Sequence, residues 1–147
     1  MRIYLACTVR GDRGALDAVR RLAAFLTARG DEVLTTHLLA DDVDAAEGRL
    51  SEREVFERDI AWLESADVLI AEASGSSYGV GFEVGYVLGR AAVSGQQVLL
   101  LYHADRRPHI SRLIAGNCHA CCTTYAYRDT DELLRFVGNV LAPRAAC

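Results

Sequence analysis

The chain has 147 residues, 51% of them hydrophobic and 24% charged, with a formal net charge of −4. That balance suits one compact core and excludes a disordered tail, a fibrous repeat or a membrane protein, and the acidic sign leaves no basic field for a nucleic-acid backbone. All 16 basic residues are arginine, so neither a lysine Schiff base nor a phosphate-loop lysine is available.

In chain order, short β-rich runs fall at Arg2–Cys7, Glu32–His37, Asp67–Glu72, Gln97–His103 and Cys121–Tyr127, with helical spacing between them. After the first run, Leu16, Val19, Leu22, Ala23 and Leu26 form an apolar stripe that Gly30 stops. Ser51 and Glu54 have the spacing of a capping box, and Val55, Phe56, Ile60, Trp62 and Leu63 follow on one side of the helix it opens. A third helix is expected over Tyr78–Val93, a short one near His109–Ala115, and a last one over Asp131–Leu141 before Pro143. This alternation predicts one α/β domain spanning residues 1–147, a doubly wound five-stranded parallel sheet of flavodoxin-like order 2-1-3-4-5 with helices on both faces. Ligands in such sheets sit beyond the carboxyl ends of the strands at the topological switch point, so the loops after the first and third strands are where chemistry is expected.

The five cysteines are an odd number and no leader composition opens the chain, which reads as a reduced, cytoplasmic protein. Cys118, Cys121 and Cys122 lie near His103, His109 and His119, but a second paired-ligand knuckle is missing, so no metal is expected. No run reaches the length of a membrane span.

The turn Cys7-Thr8-Val9-Arg10-Gly11-Asp12-Arg13-Gly14 offers main-chain N–H groups, a hydroxyl and two guanidinium groups near a helix start, the ingredients of an anion cradle. Tyr4, in the strand before it, reads by default as a core residue. After the third strand, Ser74 to Gly85 form a small-residue bend into a helix that carries Glu83. Gly79, Gly81 and Gly85 do not make a dinucleotide fingerprint, which belongs to the first strand–helix turn. Gly81, Gly85 and Gly89 instead recur every four residues and leave a groove for a second backbone, with Glu83 about 200° round the helix from Gly81. Asp59 interrupts the apolar stripe of the second helix, so it is either satisfied structurally or faces a pocket. Two carboxylates beside an anion cradle suit cleavage of a glycosidic bond to a phosphorylated sugar.

Three blocks, Tyr4–Gly11, Glu57–Val68 and Ser77–Gly85, resemble the nucleoside 2-deoxyribosyltransferase family, and within it the branch that hydrolyses 2′-deoxynucleoside 5′-phosphates. The resemblance implies Glu83 as the nucleophile at C1′, Asp59 as the acid or base-orienting group and Tyr4 as their catalytic companion. It implies Thr8, Val9, Arg10, Gly11, Ser77 and Gly79 around the nucleotide, with no cofactor, and a homodimer in which Ser111 reaches the site in trans. Cys7-Thr8 stands where the family usually has Gly-Ser, which adds bulk beside the expected sugar and phosphate. Two other readings are a ribonucleotide N-glycosidase acting on CMP and a nucleotide-binding module without chemistry.

Overall fold

The computed structural model describes residues 1–9, 12–40, 43 and 48–142. Its centre is a five-stranded, all-parallel sheet of β1 (Arg2–Ala6), β2 (Glu32–Val33), β3 (Val68–Glu72), β4 (Gln97–His103) and β5 (Cys122–Tyr127) in the order β2-β1-β3-β4-β5. The expected strand order is therefore the observed one. The inner strands are apolar almost throughout because both sheet faces are covered. Side chains alternate across the pleat. Ile3, Leu5, Ile70, Leu99 and Leu101 pack on one face against α1 (Leu16–Ala28) and α5 (Thr130–Val140). Tyr4, Ala6, Leu69, Ala71, Val98 and Leu100 pack on the other against α2 (Glu52–Ser65) and α3 (Tyr78–Ser94).

The local signals act where they were read. Gly30 has a φ of +86° just past α1, a conformation that costs glycine little. The capping box of α2 is complete, with Glu54 N–H donating to Ser51 Oγ at 3.3 Å and Ser51 N–H donating to Glu54 Oε2 at 2.8 Å. The last helix starts after Asp129, whose carboxylate accepts Glu132 N–H at 2.7 Å.

Two expectations need adjusting. The run Glu32–His37 forms only two residues of strand, because the buried Thr35 hydroxyl accepts Leu5 N–H at 3.1 Å and donates to Leu5 O at 2.6 Å. A side chain thus takes over the ladder, and the chain turns into a 3₁₀ segment at Thr36–Leu39. Near His109, the expected helix is a 3₁₀ turn over Ala104–His109 followed by the four-residue α4 (Arg112–Ala115). In α2, Leu63 is buried but Phe56 is 54% exposed and leans on Phe82 of α3, with ring centroids 6.3 Å apart. Gln96 locks the end of α2 in place by donating to Leu63 O at 2.6 Å and Ala66 O at 2.8 Å.

Candidate active site

β1 and β3 are neighbours whose connections leave in opposite directions, which places the crevice at their carboxyl ends. A cavity of about 660 Å³ opens there, large enough for a nucleotide-sized ligand. Its wall includes Cys7 and Val9 after β1, Asp59 on α2, and Ser76, Ser77, Gly79 and Glu83 at the start of α3.

Tyr4 is fully buried, and its hydroxyl donates to Glu83 Oε1 at 2.7 Å. Because Tyr4 sits on the α3 face of β1 and Glu83 in the second turn of α3, strand alternation and helix phase together aim the pair at one point. Burial pushes the Glu83 carboxyl up to about 7; the Tyr4 hydrogen bond works against that and the Asp59 charge adds to it. Burial and the neighbouring Glu83 charge hold the Tyr4 phenol far above its usual range, so it remains a proton donor in the hydrogen bond.

Asp59 lines the same cavity and carries its own cation, with Arg58 NH2 2.8 Å from Asp59 Oδ1. Arg58 also lies over the Trp62 ring, 4.9 Å from its centroid. The two readings of Asp59 are both realised: it is ion-paired and it faces the pocket.

Ser77 is the N-cap of α3 and accepts Val80 N–H at 3.3 Å, which leaves its hydroxyl hydrogen free to donate into the cavity. The positive end of the α3 dipole opens at the same place, an electrostatic preference for an anion. Cys7 is buried and burial pushes its thiol up to about 11, so it stays protonated at neutral pH and is no rival nucleophile.

Thr8 is not in the wall of this cavity; it is buried, and its Oγ1 has no hydrogen-bond partner among the described residues. It packs beneath Gly75, where an added Cβ would come 2.7 Å from that oxygen. Arg10 and Gly11 lie outside the described residues. Ser111 is exposed at the start of α4 and does not line the cavity. Glu52 and Val55 do line it, whereas the sequence pattern gives Val55 only a place on the apolar side of α2 and Glu52 no role. Their spacing to Asp59, seven and four residues, puts all three on one helix face and was the available signal.

A buried phenol bonded to a part-buried carboxylate and a second carboxylate lie at the switch point of a doubly wound sheet beside a helix N-terminus, an arrangement that suits glycosyl chemistry on an anionic ligand. The profile of the nucleoside 2-deoxyribosyltransferase family matches residues 3–134, and the chain belongs to that family. It is 45% identical over 141 residues to a Thermofilum pendens protein named as a provisional 2′-deoxynucleoside 5′-phosphate N-hydrolase, covering 96% of this chain and 95% of that one. It is 32% identical over 117 residues to the 5-hydroxymethyl-dUMP N-hydrolase of Danio rerio, covering 79% and 78% of the two chains. The fold matches that of the CMP N-glycosidase of Clostridium botulinum with a TM-score of 0.70 at 20% identity, over 96% of this chain and all of that one.

Proposed function

We propose that this chain hydrolyses the N-glycosidic bond of 2′-deoxynucleoside 5′-monophosphates, giving free base and 2-deoxyribose 5-phosphate. The Tyr4–Glu83 hydrogen bond at the edge of the cavity carries this reading. Ionised Glu83 attacks C1′, the C1′–N bond breaks, and the base, oriented by the Arg58-paired Asp59 carboxylate, leaves and takes a proton from solvent. Water then attacks C1′, the Glu83 ester bond breaks to restore the carboxylate, and the proton that water loses replaces the one the base took from solvent, so the net change is addition of one water. Tyr4 orients Glu83 and favours its charged form before attack. Ser77, Gly79 and Val9 hold the 5′-phosphate, and the family resemblance assigns Arg10 and Gly11 to the same group.

The functional unit in this reading is a homodimer. Gly81, Gly85 and Gly89 have open space where a Cβ would project, and Tyr78, Phe82 and Val93 on α3 are exposed apolar groups, so a second copy has a close-packing surface to meet. Ser111 would enter the neighbouring site from there. No described helix is long and apolar enough to cross a membrane, and Cys7, Cys118, Cys121 and Cys122 are free thiols, which suits a reducing cytoplasm.

Side-by-side assay of dCMP, dGMP, CMP and GMP for released base tests the activity. Base is expected from the deoxynucleotides. Equal or faster turnover of CMP would overturn the deoxy preference, and binding without any release from folded protein over hours would overturn the catalytic reading.

A further inference from the structure

Next to the turn that leads into the cavity wall lies a buried acid that the reaction does not use. Glu72 ends β3 at 2% exposure. Its carboxylate accepts Ser74 N–H at 3.2 Å, the Ser74 hydroxyl, and the Tyr127 hydroxyl at 2.9 Å. Ser74 Oγ also accepts His103 N–H at 2.7 Å, and Ser74 O accepts Arg106 Nε–H at 3.2 Å. Arg106 extends to the Asp12 carboxylate on the β1–α1 loop. Between these ties Gly75 lies flat against the same loop, where an added Cβ would be 2.4 Å from Asp12 O. One residue further on, Ser76 and then Ser77 enter the wall of the cavity.

From this arrangement we infer that Glu72 is a positioning residue for the 5′-phosphate end of the substrate. It fixes Ser74, and through the main chain of Gly75 and Ser76 it fixes where the Ser77 hydroxyl and the N-terminus of α3 point. Three donors converge on one buried carboxylate, so its removal leaves them unpaired and frees the turn. The inference rests on the proposed nucleotide reading, and a binding measurement separates the two: absence of base release would fail that reading, while nucleotide affinity still tests the role of Glu72.

The experiment compares Glu72→Ala, Glu72→Gln and Tyr127→Phe with the parent protein, using kcat and KM for dGMP and calorimetric Kd for dGMP and for deoxyguanosine. Glu72→Ala is expected to raise KM and Kd for dGMP about tenfold, since about 1.4 kcal/mol corresponds to a tenfold change, with kcat and deoxyguanosine affinity near the parent values. Glu72→Gln, which still offers an oxygen to Ser74, should restore most of the loss. Tyr127→Phe, which removes one hydroxyl and keeps the ring, should weaken dGMP by a few fold and keeps the test alive if Glu72→Ala does not fold. Parent-like dGMP affinity in folded Tyr127→Phe and Glu72→Ala, or an equal loss for deoxyguanosine, would overturn the assignment.

Discussion

Glu72 and Glu83 are the same side chain at the same edge of the sheet, one ending β3 and the other a turn into the helix that follows. Glu72 accepts three hydrogen bonds from Ser74 and Tyr127. Glu83 receives only the Tyr4 hydroxyl among the described residues and borders a cavity of about 660 Å³. Burial raises both carboxyls, but at Glu72 the Ser74 and Tyr127 donors pull back, whereas Glu83 has one donor and the Asp59 charge against it. A carboxylate whose lone pairs are occupied serves as an anchor; one with a single donor and open space beside it retains lone pairs for bond formation.

The largest test of this contrast is Glu83→Gln. It should cost at least about 10³-fold in base release, as expected for loss of a nucleophile, while the fold gains. Glu83 holds its proton more tightly when folded than at its ordinary value of 4.5, reaching about 7. The native state therefore loses stability as pH rises from about 4.5 to about 7 and stays penalised above that window. The variant removes the ionisation, so its Tm should exceed the parent's at pH 8 and the gap should narrow by pH 5, measured by thermal melts. A parent Tm at or above that of the variant at pH 8 would contradict an electrostatically costly Glu83.

Asp59→Asn comes next. Loss of the anion that orients the leaving base is expected to reduce kcat about 10²-fold; an undiminished rate would place base orientation elsewhere. Smallest is Tyr4→Phe, which removes a hydrogen bond to a charged group and should lower kcat/KM about tenfold at pH 7. Because that bond favours ionised Glu83, the acid limb of the pH profile, near 7 in the parent, should move upward and the deficit should shrink in alkali. A limb that stays in place would mean that Tyr4 acts on geometry alone.

The strand order and the helix caps were legible because they depend on neighbours in sequence: Ser51 with Glu54, Gly30 after an apolar stripe, and runs that are apolar on both faces. Asp59 stands out as a charge in an apolar stripe and Glu83 by its place after the third strand, and the family resemblance supplies their roles. What sequence could not show was long-range pairing. Thr35 reads as one more β-branched residue, yet its hydroxyl ends β2 through Leu5, thirty residues away. Glu72 reads as the polar end of a strand, and its partner Tyr127 is fifty-five residues distant. Thr8 was read as facing the ligand because of its place in the turn, and only the packing of Gly75 shows its hydroxyl turned under the neighbouring loop.

That same glycine bears on how such a protein can diverge. With no room for even a methyl group between residue 75 and the Asp12 carbonyl, neither loop can be rewritten independently. An alanine here would require the opposite segment to be rebuilt in the same evolutionary step. Relatives that depart from glycine at this position should therefore carry a compensating insertion or deletion near residue 12, a correlated change that a comparison of divergent sequences would expose.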